Sequence, residues 1–483
     1  MDKALLHRHA FFVDGEWQPA AAELLRVVSP ATEEVIGEAP LATQNDIDRA
    51  ATKAREAFDH GLWPRTSQQE RAAVLSRAAE LLRKRAPDIA AITVEEMGCA
   101  VSQAERSQTG LVAPVFDYYA QLLRSFELVQ RLPQGGELRE LPVGVVAAIV
   151  PWNAPVTLAA WKVAPALAAG CSIVLKPPPE APLSNFVLAE ALHEAGVPRG
   201  VINVLPGDRE AGEHLVAHPL IDKVAFTGST AAGKRISTVC AEQLKRVSLE
   251  LGGKSAVIVL EDANLHDVVA RTVRAAMHLS GQFCGAQSRV LVPRAHYSEL
   301  VELAAATAAS IKVGDPHDPE TTVGPLVAAR QRTRVLEMIA DAARSGARIA
   351  AGGGRPKHLP KGFYVEPTVL SNVDNNMAIA QEEIFGPVVC LIPYDTEADA
   401  IRIANDSRYG LTGAVWSADD QRALDVARQL RTGSVTVNGF PAPFPHVPFG
   451  GFKQSGQGRE LGPHGLRSYL EPQSLGLPPS LRL

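Results

Sequence analysis

Between residues 143 and 226, short apolar runs alternate with helical ones, and this alternation restricts the fold more than any other feature of the chain. Residues 143–150, 172–176, 201–205 and 223–226 read as strands, each nearly continuous in apolar side chains. Residues 159–169, 184–195 and 209–217, lying between them, read as helices. Strands apolar on both faces must be covered on both faces, which is the condition of a parallel sheet flanked by helices. A second series opens after Glu250, with strands expected at 256–260 and 289–292. The class is therefore α/β. A chain of 483 residues exceeds what one core organises, so two or three domains are expected.

The flanking regions read differently. The first third is helical in pattern, with Ser67-Gln68-Gln69-Glu70 forming a capping box ahead of the apolar-periodic run 72–82. Residues 126–141 break that pattern: two alternating stretches around Gln134-Gly135-Gly136 predict a projecting β-hairpin. The tail is glycine-rich from Gly450 and extended around 468–475. Residues 143–161 are uncharged for long enough to span a bilayer, but Pro151, Asn153 and Pro155 interrupt them and Lys162 follows. A strand, a polar turn and a buried helix account for them, and no membrane partner is expected.

Charge and cysteine content exclude further classes. The net charge of −5 comes without a basic stripe, which argues against nucleic-acid binding. Five cysteines, odd in number and with no C-x-x-C pair, give neither a disulfide framework nor a metal site. A reducing, cytoplasmic location fits them, and residues 1–12 show no apolar segment of a secretory signal.

Four local features carry chemistry, each with a plain alternative. Phe226-Thr227-Gly228-Ser229-Thr230 through Gly233-Lys234 sits at a strand end and opens a helix, where glycines admit a phosphate to the helix N-terminus. It is not G-x-G-x-x-G, and Arg235 replaces the hydroxyl a P-loop needs, so by itself it is equally an ordinary helix start. Cys284, in Gly281-Gln282-Phe283-Cys284-Gly285, is a small buried hydrophobe by base rate, yet a glycine-flanked break between helix and strand suits an accessible thiolate. Glu250, before Leu251-Gly252-Gly253-Lys254, is a surface residue or a carboxylate held at a strand end. Asn153, after Pro151-Trp152, is a turn residue or an amide donor aimed at an oxyanion.

In combination these motifs resemble the aldehyde dehydrogenase superfamily, NAD(P)-dependent and non-acylating, over nearly the whole chain. The resemblance rests on seven motifs in family order: Pro151-Trp152-Asn153, Lys176-Pro177, Phe226 to Thr230, Glu250 to Lys254, Gly281 to Cys284, Glu382-Glu383-Ile384-Phe385-Gly386-Pro387, and Pro448-Phe449-Gly450-Gly451. It implies two Rossmann-like parallel-sheet domains plus a small bridging β-hairpin. Residues 1–123 and 143–252 would bind dinucleotide, 253–454 would be catalytic, and 124–142 with 455–483 would bridge subunits of a homodimer or homotetramer. Cys284 would be the nucleophile, Asn153 with the Cys284 amide would hold the oxyanion, and Glu250 would be the base that hydrolyses the thioester. Val150, Trp152, Lys176, Gly228, Ser229, Gly233, Glu383 and Phe385 would hold the cofactor. Lys176 and Ser229 would take its adenosine and pyrophosphate, Glu383 and Phe385 its nicotinamide ribose and ring.

One position departs from the family pattern. NAD-preferring members carry Glu three residues after the place of Lys176; here it is Pro179, with Glu180 one further on. NAD is favoured and NADP is not barred. The implied aldehyde tunnel comprises Tyr118 or Tyr119, Ala154, Thr157, Trp161, His278, Phe283 and Phe449, without Arg or Lys. Such a lining either only seals the tunnel or favours apolar aliphatic, aromatic or terpenoid aldehydes over dicarboxylic semialdehydes. The alternatives are a CoA-acylating semialdehyde dehydrogenase, which Glu250 opposes, and a catalytically silent oligomeric binding protein.

Overall fold

The apolar strands do assemble side by side. In the computed structural model, which describes residues 3–20, 24–133, 135–440 and 442–478, Ile202–Val204, Ser172–Lys176, Val145–Ile149, Lys223–Thr227 and Arg246–Glu250 lie adjacent in that order, all parallel. Their side chains are buried on both faces, apart from the first two residues of Arg246–Glu250. The helices Pro155–Ala169, Ser184–Glu194 and Arg209–Ala217 connect them, as the alternation predicts.

The sheet is larger than its parallel centre. Ala10–Val13 and Glu16–Pro19 extend one edge antiparallel, and Gly456–Gln457 closes the other. The expectation of a helical first third is corrected here: four short strands between Ala10 and Pro40 precede the helices Gln44–Asp59 and Gln68–Met97. Each has only four to six residues, too few for a period to declare itself in sequence. The capping box holds, with Ser67 Oγ accepting from Glu70 N and the Glu70 carboxylate accepting from Ser67 N.

A second sheet of seven strands runs Arg348–Ala351, Thr368–Ser371, Val388–Tyr394, Arg289–Pro293, Ala256–Val259, Thr412–Trp416 and Ser434–Val437, parallel except for the first. The hairpin Val129–Leu132 and Gly136–Pro142 forms, and the tail strand Leu470–Gly476 pairs with it as a third strand. Gln134 of the expected turn lies outside the described residues. Residues 143–161 are a strand, a loop and the start of a buried helix, and among the described residues no helix is long and apolar enough to cross a membrane.

The strand order places the site. From Val145–Ile149 the chain moves outward to one side through two strands, then returns to lay Lys223–Thr227 on the other side. Ligands of open α/β sheets bind at such a reversal, beyond the carboxyl ends of the strands. Those ends are Ile149, Lys176, Thr227 and Glu250.

Candidate active site

Each carboxyl end delivers one of the motifs. Val150 follows the first strand, its N–H donating to the Lys176 carbonyl at 3.3 Å, and the chain turns through Trp152 and Asn153 into Pro155–Ala169. Asn153 is 5% exposed, and its side-chain amide has no hydrogen-bond partner among the described residues. A buried amide with its donor unspent suits an oxyanion that forms only during reaction. Thr227 leads into Gly228 and the helix Thr230–Glu242, whose N-cap Ser229 spends its hydroxyl on Ala232 N. The earlier amides of that first turn have no intrahelical acceptor. A Cβ on Gly228 would stand 2.4 Å from the Phe226 ring, so any larger residue would have to push that ring aside. Gly233 is buried with Leu251 where its side chain would begin, and so packs the helix onto the sheet.

Lys176 is buried, its ammonium donating to the carbonyls of Gly207 at 2.6 Å and Pro177 at 3.2 Å. Burial lowers it to about 8. Pro179 has no donor or acceptor to offer beyond its carbonyl, and the Glu180 carboxylate is ion-paired with Arg330. The carboxylate displaced by one position is therefore already engaged.

Glu250 ends its strand 4% exposed, and neither carboxylate oxygen has a partner among the described residues. Burial, then the negative charge of Glu460, hold it well above the usual carboxylate range, against the pull of Lys162 and Arg459. Lys162 Nζ donates to Glu460 Oε1 and to Thr227 Oγ1, each at 2.5 Å, in a fully buried cluster. Lys162 and Glu460 escaped sequence reasoning. In sequence Lys162 is merely the charge that ends an apolar stretch, although a lone lysine inside a helix buried all round requires a buried partner.

The glycines after Glu250 bring the remaining groups together. The Gly253 N–H donates to Glu383 Oε1 at 3.1 Å, and a Cβ on Gly252 would stand 2.5 Å from Glu383 Oε2. On Gly253 it would meet the Cys284 carbonyl oxygen at 2.6 Å. Burial pushes the Glu383 carboxyl up to about 7. Phe385 adopts φ +60 and sets its ring edge-on to Trp152, 5.3 Å between centroids. Arg334 fixes this strained segment by donating to the carbonyls of Glu383 and Ile384, and Gln331 by donating to that of Phe385. Neither was legible beforehand.

Four of the five cysteines are buried, whereas Cys284 is half-buried in the loop between His278–Gly281 and Arg289–Pro293. The partly accessible position expected of Cys284 holds. Burial of the sulfur, then the carboxyls of Glu383 and Glu250, push the thiol up to about 12.

The residues expected to wall the tunnel pair through their rings. Trp161 meets Phe449 at 5.4 Å, Tyr118 meets Tyr119 at 5.1 Å and His278 meets Phe283 at 5.7 Å. Ala154 is half-buried beside this wall, and Thr157 spends its hydroxyl on the Gln108 carbonyl at 2.8 Å. One cation comes near that the sequence left out: Arg106, exposed, joins burial in lowering His278 to about 4, so the imidazole is neutral.

Comparison with known proteins finds a family match over nearly the whole chain. The model of the aldehyde dehydrogenase family matches residues 17–475. Geranial dehydrogenase of Castellaniella defragrans is 43% identical, over 98% of this chain and 99% of that protein. The 3-succinoylsemialdehyde-pyridine dehydrogenase of a Pseudomonas species is 45% identical, over 95% and 97%. The structure of Mycobacterium tuberculosis aldehyde dehydrogenase complexed with NAD+ matches with TM-score 0.95 and 43% identity, covering 98% of each chain. A mutant of aldehyde dehydrogenase C from Pseudomonas syringae, complexed with NAD+ and octanal, matches with TM-score 0.95 and 42% identity, covering 98% of this chain and 97% of that one.

Proposed function

The chain belongs to the aldehyde dehydrogenase family, and on that footing we propose that it oxidises an apolar aldehyde to its carboxylic acid with NAD, through a thioester on Cys284. The observation that carries the mechanism is the packing of Glu383 and the Cys284 backbone against Gly252-Gly253, just beyond Glu250, with the unspent Asn153 amide beyond a strand end two places across the sheet.

The residues fit a dinucleotide. The glycine cradle at Gly228, the open first turn behind Ser229 and the ammonium of Lys176 suit its phosphates and adenosine. Glu383, Phe385 and Trp152 suit its nicotinamide end. When bound, the nicotinamide supplies the acceptor for the hydride of the tetrahedral adduct. The chain supplies the rest. An aldehyde must become tetrahedral before it can release hydride, so the Cys284 sulfur adds to its carbonyl and Asn153 donates to the oxygen that gains charge. Burial, then the carboxyls of Glu383 and Glu250, hold the thiol up to about 12, so the sulfur gives its proton to solvent as it attacks, and Glu250 is left free for the second half-reaction. Glu250 then takes a proton from the water that cleaves the thioester. A carboxyl raised well above its usual range is shifted in the direction general-base catalysis favours.

The substrate reading rests on the ring-lined wall and on relatives named for geranial and octanal complexes. Catalytic efficiency should rise with aldehyde chain length by about 0.8 kcal/mol per buried methylene until the tunnel is full. A panel from acetaldehyde to decanal, with geranial, benzaldehyde and succinic semialdehyde, assayed with NAD and NADP and with and without CoA, tests this. Succinic semialdehyde as the best substrate would favour a role for Arg106 and overturn the apolar reading. NADP use should be appreciable, since Pro179 offers no carboxylate against a 2′-phosphate. In the cell we place the enzyme in the cytoplasm as an assembly of two or four subunits joined through the strands Val129–Leu132, Gly136–Pro142 and Leu470–Gly476.

A further inference from the structure

One short segment touches both halves of the proposed chemistry, and it is not regular helix. Residues Val101–Ala104 are α-helical, Glu105–Thr109 form a π-turn, and Val112–Ser125 resumes α-helix. Gln103 stands just before the distortion and Gln108 within it. Gln103 Oε1 accepts from the Leu279 N–H at 2.9 Å, and Gln103 Nε2 donates to the Thr322 carbonyl at 2.7 Å. Gln108 Nε2 donates to the Asn153 carbonyl at 3.1 Å, and its own carbonyl accepts from Thr157 Oγ1 at 2.8 Å.

Both contacts land on backbone that needs holding. Leu279, Ser280 and Gly281 have φ of +48, +57 and +73, three left-handed residues in succession just before Cys284. Ala154, after Asn153, is a helix N-cap whose side chain makes no capping bond. Residues five apart would point roughly 140° away from each other on an α-helix, whereas a π-turn closes after five. The wide turn thus lets the two glutamines serve adjacent loops. Gln108 is 1% exposed and its Oε1 has no partner among the described residues, an arrangement that spends the amide entirely as a donor to Asn153.

We propose that Gln108 is a positioning residue that sets the Asn153 amide for the oxyanion, while Gln103 sets the strained turn before Cys284. This rests on the role given to Asn153 above. The test is a double-mutant cycle on the full-length enzyme with octanal and NAD. Asn153→Ala alone should lower kcat at least tenfold; an unchanged kcat overturns the role of Asn153 itself. Gln108→Met keeps the length of the side chain but removes the donor, and should lower kcat about tenfold with KM little changed. In the Asn153→Ala background the same substitution should do almost nothing. Losses that multiply would overturn the proposal while leaving the oxyanion role intact.

A second variant covers a Gln108→Met protein that does not fold. Gln108→Glu can donate to the Asn153 carbonyl only when protonated, so its activity relative to wild type should recover as pH falls from 8.5 to 6. A pH-independent ratio would mean that Gln108 merely fills space. Alkylation of Cys284 by iodoacetamide separates the two glutamines: its rate should change in Gln103→Met and stay unchanged in Gln108→Met. The reverse pattern would overturn the assignment.

Discussion

Cys284 and Glu250 lie within each other's electrostatic reach, yet the proposed chemistry uses them in different half-reactions. Their substitutions should therefore fail differently. Cys284→Ala removes the sulfur, so no NADH forms at any aldehyde concentration, even in the first turnover. Glu250→Gln keeps the thiol, so a burst of NADH is expected, followed by turnover roughly 10²–10⁴-fold slower than wild type. Mass spectrometry of the quenched variant should find the acyl group on the Cys284 peptide, and an adduct on Cys171 or Cys240 would refute the mechanism. The pH dependence follows from the same carboxyl. Hydrolysis needs Glu250 ionised, and its ionisation is pushed well above the ordinary range, so wild-type turnover rises with pH through that raised value. The rising limb should be absent from Glu250→Gln. What the sequence could show of this site was residue type at a motif position. Cys284, Glu250 and Asn153 are legible that way because each is a chemically distinctive residue beside a turn. Lys162, Glu460 and Gln108 are not, because their meaning lies in partners 298 and 45 residues away.

At the level of elements, apolar runs predicted the parallel strands to within two residues at either end, since burial on both faces leaves few alternatives. The edge strands near the start were missed because a four-residue edge carries no readable period. Contacts between helices were equally invisible, and one of them governs stability. Glu96, in the helix Gln68–Met97, is fully buried and accepts from Leu183 N at 2.8 Å and Ser184 Oγ at 2.5 Å, where the helix Ser184–Glu194 begins. Burial outweighs these bonds and raises Glu96 to about 7. The folded state then holds its proton more tightly than the unfolded chain does between about 4.5 and 7. Stability should accordingly fall as pH rises through that window, by about 3 kcal/mol from this group, and level off above it. Denaturant titrations of wild type and Glu96→Gln check this: the variant should lack that part of the slope.

For the whole molecule, the three-stranded sheet Leu470–Gly476, Gly136–Pro142 and Val129–Leu132 leaves two edges open, with Val129 and Leu132 53% and 42% exposed. Open strand edges that carry apolar side chains seek partners. Replacing both residues by Lys should shift the protein towards monomer in light scattering, and an unaltered mass would place the interface elsewhere. The same tail reaches inward. Gly456–Gln457 closes the first sheet against Arg246–Glu250, Phe449 completes the ring wall, and Glu460 neutralises Lys162. On a ribosome, Glu250 and Cys284 are thus made long before the segment that completes their surroundings. Until the final segment emerges, Lys162 is a cation destined for burial without its counter-charge, a state that costs several kcal/mol. The first sheet therefore gains its closing strand and its buried counter-charge only when the last segment of the chain arrives.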